Sequence, residues 1–296
     1  MRLLGYLKRL LPVDWLLICY LSLTGVFILG FYQIIPFAHY HLFGRAVSAG
    51  LLLLLPLLDN FLKVRAVLFL RIAYPLAFLG FFYAETDALN NVFFSNLDYH
   101  FARFEMLVFG FQPALDFYAS FPNKWFSEFM NLGYFSYYFL ILGFAIHVFI
   151  KNESDLIRIV FLICCSFIFY YLIFIIIPVS GPQYYFKSPY NSIPNSGIFR
   201  TFVLLVEKIG ERPTAAFPSS HVGIIFILIL LAWKKYAKTL AWLIPFFIIL
   251  SFSTVYIKAH YAIDVLGGLI SAPIILWFSN VTWKIFKNHT IKKTFL

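Results

Sequence analysis

The chain has 296 residues, of which 62% are hydrophobic and 12% are charged, and its formal net charge is +10. A mean hydropathy of +0.85 excludes a soluble globular domain and indicates a protein that crosses a membrane several times. The lysines and arginines are scattered between apolar runs, so the positive charge does not indicate a nucleic-acid partner. Cys19, Cys164 and Cys165 lie inside apolar runs, so neither a disulfide framework nor a thiolate metal site is predicted.

Eight apolar runs approach the length of about 20 residues that a helix needs to cross the hydrocarbon core. The second and third runs are short and carry Arg45 and Arg71 near their ends. The sequence therefore predicts an all-α fold, a polytopic membrane helix bundle with about eight transmembrane helices. The predicted spans are Trp15 to Tyr32, Leu42 to Leu58, Val67 to Tyr83, Leu132 to Ile150, Ile159 to Pro178, Phe217 to Trp233, Leu240 to Tyr256 and Ala262 to Phe278.

The positions of the cations predict the orientation, because short cytoplasmic loops are enriched in Lys and Arg. With a cytoplasmic N-terminus, every second connection is basic, as in "KKYAK" from Lys234 to Lys238. The long connection from Ala84 to Asn131 is acidic and aromatic. It predicts amphipathic or re-entrant helices along the outer interface, which act as an aromatic anchor or as a lid. We expect a multi-pass protein of the bacterial plasma (inner) membrane, with its site facing the periplasm.

Two polar segments fall on the predicted outer side, at the N-terminal ends of the sixth and eighth spans. The first is "PSSH", Pro218 to His221, and the second is "HYAIDVLGG", His260 to Gly268. These two spans run in the same direction, so we expect His221 and His260 to converge. A single histidine at a helix end is often only an interfacial residue. Ionisable groups at membrane depth are costly, however, so the pair favours a functional site.

The residue types in these segments are suited to phosphate chemistry. His260 and Asp264 are four residues apart, which on a helix places them on one face, so the carboxylate can orient the imidazole as a nucleophile or base. His221 can protonate a leaving oxygen. Ser219 and Ser220, with the N–H groups at a helix N-terminus, can donate to an anion. A metal site is the weaker alternative, because these residues form no carboxylate cluster.

These segments resemble the second and third signature motifs of the type 2 phosphatidic acid phosphatase superfamily, whose members act on lipid phosphates. The third motif is matched by Ser253, His260 and Asp264, but Thr254 stands where the phosphatases carry arginine. The first motif is incomplete, since "ERP" at Glu211 to Pro213 lies close before "PSSH" and Leu205 stands at the lysine position. Both departures resemble the inositol phosphorylceramide synthase and sphingomyelin synthase side of the superfamily.

The resemblance implies a two-step reaction without metal or cofactor. His260 attacks phosphorus to form a phosphohistidine, Asp264 holds its ring, and His221 protonates the departing oxygen. The substrate is then a membrane lipid, and the acceptor is water in a phosphatase or a polyol or lipid alcohol in a transferase. The implied organisation is additional transmembrane helices over residues 1–66, a catalytic domain over 67–280 with a core of six helices, and a basic cytoplasmic tail over 281–296.

Two questions stay open in the sequence. The cations that replace the missing motif residues are expected in the outer connections, and Arg212 and Lys258 are preferred over Lys187, Arg200 and Lys208 because they lie close to the three motif residues. Each of these cations is also typical of a residue that faces lipid headgroups. A non-catalytic lipid transporter built on the same scaffold is the alternative from another functional class. The sequence does not indicate an oligomeric state.

Overall fold

The computed structural model describes residues 6–60, 64–187 and 197–287. Regular structure within these residues is entirely helical, which confirms the predicted all-α class. Residues 288–296 of the predicted basic tail lie outside the described residues. The α-helices are α1 (Pro12–Gly30), α2 (Ala38–Leu54), α3 (Val64–Leu89), α4 (Asp98–Phe109), α5 (Pro113–Ser120), α6 (Lys124–Lys151), α7 (Glu153–Ile176), α8 (Pro182–Tyr185), α9 (Ile198–Gly210), α10 (Ser220–Lys235), α11 (Leu240–Tyr256) and α12 (Ala262–Phe286).

Six helical segments of the described chain are long and apolar enough to cross a membrane, so the chain is a multi-pass membrane protein. They are Pro12–Gly30, Ala38–Leu58, Lys124–Lys151, Asp155–Ile176, Ala237–Tyr256 and Ala262–Phe286. The other two predicted spans correspond to α3 and α10. Helix α10 has 16 residues and is therefore about 24 Å long, shorter than a hydrocarbon core of about 30 Å. A total of eight spans thus stays a prediction.

Helix α10 lies at the centre of the bundle, packed against α11 and α12. Its sequence is apolar on all sides, which is typical of a helix surrounded by other helices. Val222, Ile225 and Leu228 are fully buried. Lys234 and Lys235 end the helix, where cations interact favourably with the carbonyl end of the helix dipole. Both residues that precede His221 at the start of this helix, Ser219 and Ser220, are therefore held on a rigid central element.

Glycines allow α10 and α12 to approach closely at their N-terminal ends. A Cβ atom on Gly268 would lie 2.5 Å from the carbonyl oxygen of Ser219, and one on Gly267 would lie 2.6 Å from the Phe217 ring. Real Cβ atoms do not approach other atoms this closely, so any side chain at either position would displace the backbone or the ring. The close contact brings together the first turn of α10, which contains His221, and the start of α12, which His260 precedes.

The two arginines within the predicted second and third spans are buried in ion pairs. Arg45 on α2 makes a bidentate contact with Glu85 on α3, with Nη1–Oε1 and Nη2–Oε2 distances of 2.5 and 2.8 Å. Arg71 on α3 pairs with the buried Asp14 on α1, which also accepts a hydrogen bond from Tyr74. Paired in this way, the arginines are compatible with apolar surroundings. They also join α1, α2 and α3 to one another.

The connection predicted from Ala84 to Asn131 contains the end of α3, the helices α4 and α5, and the start of α6. Helix α4 buries Asp98, Ala102 and Glu105, which recur on one face, while Leu107 on the opposite side is 76% exposed. The helix is thus amphipathic with its carboxylates turned inward. This face is directed at the segment that contains His260.

Candidate functional site

The structure brings His221 and His260 together, as their positions at the ends of two parallel helices predict. Nδ1 of His221 lies 3.2 Å from Nε2 of His260, and the ring planes are inclined at 68°. His221 is in the first turn of α10, and His260 lies in the connection between α11 and α12. Asp264 of the same predicted set is 3.4 Å from His260. The three residues therefore form one contiguous cluster.

The surroundings of His260 define which of its ring nitrogens carries hydrogen. Nδ1 lies 2.8 Å from the carbonyl oxygen of Ala216 and 3.4 Å from Oδ2 of Asp264. The carbonyl oxygen of Ala216 can only accept, so Nδ1 carries the hydrogen and Nε2 carries the lone pair. Burial lowers the pKa of His260 to about 4, although the Ala216 carbonyl and Glu211 oppose this effect. A neutral His260 thus presents a lone pair toward Nδ1 of His221.

Asp264 contacts His260 in a different way from the one predicted. His260 precedes α12, which begins at Ala262 with Tyr261 as its extended N-cap residue, so the two residues do not share a helix face. Asp264 instead sits in the first turn and accepts a hydrogen bond from the Tyr261 amide at 2.8 Å. Its Oδ1 is buried and has no hydrogen-bond partner among the described residues. The carboxylate therefore shapes the turn that carries His260 as well as facing its ring.

The two serines have different surroundings. Ser219 is the N-cap of α10, where its hydroxyl accepts from the Val222 amide at 3.4 Å, and its own amide donates to the carbonyl oxygen of Asp264 at 2.9 Å. This pairing connects the starts of α10 and α12. Ser220 lines a cavity together with His221. Of the two serines, Ser220 is the one that lines this cavity.

Of the two preferred cations, Arg212 is half-buried and Lys258 is buried. Arg212 donates from Nη1 to the carbonyl oxygen of Glu211 at 3.0 Å. Lys258 has a left-handed backbone with a φ of 68°, and its Nζ lies 4.9 Å from the centre of the Tyr118 ring. Burial, together with the nearby charge of Arg200, lowers the pKa of Lys258 to about 8. The Lys258 ammonium thus packs toward α5.

At the two positions where the family motifs carry cations, this chain has uncharged side chains. Leu205 is 53% exposed on α9. Thr254 is fully buried, and its hydroxyl donates to the carbonyl oxygen of Ser251 at 2.9 Å. Neither residue compensates for a missing cation.

Asp98 is a residue of this site that the sequence analysis did not single out. It is fully buried on α4 and accepts hydrogen bonds from the amides of Ser180 and Gly181, both at 2.8 Å, and from the hydroxyl of Tyr261 at 3.0 Å. Tyr261 follows His260 directly. One carboxylate therefore joins α4 to two segments that are distant in sequence. No local motif around Asp98 indicates this role.

Glu105 lies about two helical turns after Asp98 on α4 and contacts the first turn of α12. Its Oε1 accepts from the Ile263 amide at 3.1 Å, while Oε2 is buried without a hydrogen-bond partner in the described part of the chain. Burial raises the pKa of Glu105 to about 7; its hydrogen bond from Ile263 opposes the rise, and the charge of Asp264 adds to it. Asp98 and Glu105 thus hold the start of α12 from the outside.

Glu211 precedes the Arg-Pro pair of the incomplete first motif, and the sequence predicts no role for it. Its carboxylate lies at the cavity beside His221. Its Oε1 accepts from the Tyr134 hydroxyl at 2.5 Å, and its Oε2 accepts from Nε2 of Gln183 at 2.8 Å. Burial raises the pKa of Glu211, and its charge acts on His260. A hydrogen-bonded carboxylate at this position can accept from a hydroxyl group and repels a phosphate.

A cavity of about 340 Å³ adjoins the histidine pair. Ser220, His221 and Glu211 lie along one part of its wall, and aliphatic and aromatic residues of α3, α6 and α7 form the rest. The ring of His221 is flanked by Tyr134 and Tyr137, with ring centres 4.9 and 4.4 Å away. The described residues contain no group of three or more His, Cys, Asp and Glu side chains that could hold a metal ion.

The comparison with protein families identifies the chain's family. The model described as PAP2 superfamily matches residues 102–278, a range that contains both histidines and begins after α3. No curated protein and no solved structure matches the chain.

Proposed function

Because the chain belongs to the PAP2 superfamily, we propose that it is a membrane enzyme that cleaves the phosphate ester of a lipid through a phosphohistidine on His260. The observation that carries the proposal is the 3.2 Å contact between Nδ1 of His221 and Nε2 of His260. It joins a nitrogen with an available lone pair to a group that can transfer a proton, which is the arrangement that covalent catalysis requires. The reaction takes place at the outer face of the plasma membrane.

In the first step, the phosphoryl group enters between the two histidines and replaces their mutual hydrogen bond. The negative phosphate stabilises the protonated form of His221. Nε2 of His260 then forms a bond to phosphorus, the bond between phosphorus and the leaving oxygen breaks, and His221 transfers its proton to that oxygen. The Ala216 carbonyl and Asp264 stabilise the positive imidazole ring through Nδ1–H. The amides at the start of α10 stabilise the phosphoryl oxygens.

In the second step, the acceptor oxygen attacks phosphorus and the bond from phosphorus to Nε2 of His260 breaks. Neutral His221 takes the proton of the acceptor and is ready for another cycle. If the acceptor is water, the products are inorganic phosphate and a lipid alcohol. If it is an alcohol, the phosphoryl or phospho-head group moves to a new lipid. Arg212 and Lys258 are proposed to bind substrate phosphate during both steps.

An inositol phosphorylceramide synthase-like transferase is the second candidate, and Glu211 favours it. The carboxylate lies at the cavity beside His221 and is hydrogen-bonded to Tyr134, where it can accept a hydrogen bond from an acceptor hydroxyl. Thr254 and Leu205, which replace two motif cations, support the same branch of the superfamily.

The decisive experiment offers purified protein in lipid nanodiscs a panel of labelled substrates: phosphatidic acid, a polyprenyl pyrophosphate and a phosphoinositide, each with and without inositol or ceramide. Free phosphate and new lipid are both measured. Phosphate release that is independent of acceptor supports the hydrolase and excludes the transferase. New lipid that forms only with an acceptor supports the transferase. If the protein turns over none of these substrates, the proposal is wrong.

The matched variants are His260→Ala and His100→Ala, since His100 is an exposed histidine on α4. We expect His260→Ala to lose turnover by at least about a thousandfold, as expected for removal of a nucleophile, and His100→Ala to remain like wild type. An acid-labile phosphate bound to the protein during turnover should also be absent in His260→Ala. Lipid movement across the membrane that persists in His260→Ala would instead support the non-catalytic transporter.

A further inference from the structure

The cavity beside His221 changes in character along its length. Its polar part is formed by Ser220, His221 and Glu211, and the remainder is lined by aliphatic side chains, the Phe167 ring and four tyrosines. A volume of about 340 Å³ lies within the usual size of ligand pockets. The cavity thus has one end suited to a polar group and a longer part suited to an apolar one.

Helix α6 shows how far the apolar part extends from the catalytic groups. Tyr134, on this helix, is hydrogen-bonded to Glu211 at the polar end, and Leu142, eight residues further along the same helix, still lines the cavity. A helix rises about 1.5 Å per residue, so the apolar part reaches roughly 12 Å deeper along the span. This direction leads away from the outer face and into the hydrocarbon region.

One wall of the cavity comes from outside the family-matched residues 102–278. Leu76, Leu79, Gly80 and Tyr83 of α3 line it. Helix α3 packs mainly on α7, whereas α6 packs mainly on α9 and α11, so the cavity lies between α3 and α6. Gly80 and Leu142, which line the cavity from α3 and α6, are both exposed, so the cavity is open at its side. A chain can therefore enter laterally from the bilayer.

We propose that this cavity holds a long hydrocarbon chain of the lipid whose phosphate is bound at His221 and His260, and that α3 selects for the length of that chain. This inference rests on the proposed function and names the substrate class more closely. A polyol in the same space would leave hydroxyl groups against Leu76, Leu79 and Phe167 without hydrogen-bond partners, which is costly. A hydrocarbon chain gains free energy with every methylene that it buries.

Two glycines allow the cavity to be filled from opposite walls. Gly80 on α3 and Gly210 at the end of α9 line it, and a Cβ atom on either would meet no atom within 4 Å. Gly80→Phe and Gly210→Leu therefore add a side chain at the cavity wall without a clash at Cβ. Gly50→Phe is the matched control, because Gly50 is an exposed glycine of α2, has the same open space and does not line the cavity.

The first measurement compares kcat/KM for hexadecyl phosphate with that for butyl phosphate in nanodiscs. We expect wild type to prefer the long chain, and Gly80→Phe and Gly210→Leu to lower this preference by about tenfold, since each displaces a few buried methylenes. Gly50→Phe should keep the wild-type preference. Equal use of both esters by wild type, or an unchanged preference in both cavity variants, would overturn the inference while leaving the proposed function intact.

The second measurement does not depend on turnover. Hexadecyl phosphate with a photoreactive diazirine near the end of its chain is crosslinked to the His260→Ala protein, and the labelled peptides are identified. We expect label at Ile141, Leu142 and Phe167, reduced severalfold by Gly80→Phe and unchanged by Gly50→Phe. Label spread evenly over lipid-facing helices would contradict the inference. If the cavity is labelled but the wild-type protein turns over neither ester, chain binding is supported and the enzymatic proposal is wrong.

Discussion

The carboxylate of Asp98 accepts a hydrogen bond at 3.0 Å from the hydroxyl of Tyr261, the residue that follows His260. The same carboxylate also accepts hydrogen bonds from the backbone amides of Ser180 and Gly181. At Gly181, whose φ is +100°, a Cβ atom would lie 2.7 Å from the carbonyl oxygen of Ala259. The position of His260 is therefore set by contacts on both sides of its own turn.

Substitutions at Asp98 and Tyr261 should separate these contributions. Tyr261→Phe removes one hydrogen bond, worth about 1 kcal/mol, whereas Asp98→Ala also leaves two buried amides unpaired at about 1–3 kcal/mol each. We expect Asp98→Ala to lower both turnover and the thermal unfolding midpoint more than Tyr261→Phe does. Asp116→Ala, which alters an exposed carboxylate of α5, is the control. Equal effects of Asp98→Ala and Asp116→Ala would contradict the role of Asp98.

The reaction should tolerate acid because the lone pair of His260 is protected by burial. With its pKa lowered to about 4, His260 stays neutral well below the usual titration range of histidine. We expect kcat/KM of the free enzyme to fall only as pH drops through about 4. The same shift makes the folded protein lose stability between about pH 6.5 and pH 4, where the unfolded chain binds the additional proton. An acid limb near pH 6.5 in the rate profile would contradict a neutral, buried nucleophile.

Glu105 should have the opposite effect on stability. Burial raises its pKa to about 7, so between about pH 4.5 and pH 7 the folded state holds a proton that the unfolded state has released, and stability falls as pH rises. Glu105→Gln keeps an oxygen that can accept from the Ile263 amide but cannot ionise. In thermal unfolding from pH 5 to pH 8, this variant should lose less stability than wild type as pH rises. An unchanged pH dependence would show that Glu105 titrates normally.

Gly268→Ala tests the close approach of α10 and α12. The added Cβ would lie 2.5 Å from the carbonyl oxygen of Ser219, and only a backbone shift can relieve this contact. Overpacking of this type costs about 1–3 kcal/mol. We expect a lower unfolding midpoint together with a loss of turnover, because the shift separates His221 from His260. Gly210→Ala, where the new atom meets open space, should change neither property by much.

The pairing of His221 with His260 can be predicted from sequence because it depends on two short motifs and on the parallel direction of their helices. The helical class and six of the spans can be predicted because apolar runs of this length have few alternatives in a bilayer. The catalytic roles of the two histidines stay predictions.

The carboxylates around the site could not be predicted, because their partners are far away in the chain. Asp98 and Tyr261 are separated by 163 positions, and Tyr134 and Glu211 by 77. Lys258 is preferred as a phosphate-binding cation for its closeness in sequence to His260, and this role stays a prediction; its left-handed backbone and its packing on Tyr118 are not indicated by the sequence. Local spacing carries no information on either kind of arrangement.

The bidentate pair of Arg45 and Glu85 has a consequence for biogenesis. A charged side chain that enters the bilayer without a partner is costly, and Arg45 also donates from Nε to the hydroxyl of Thr24 on α1 at 3.2 Å. Arg71 and Asp14 connect α1 to α3 in the same way. Helices α1, α2 and α3 therefore lower one another's insertion cost if they leave the translocon as a single unit. Helix α3 carries both Arg71, the partner of Asp14 on α1, and Glu85, the partner of Arg45 on α2. Because α3 is synthesised last of the three, it completes this unit.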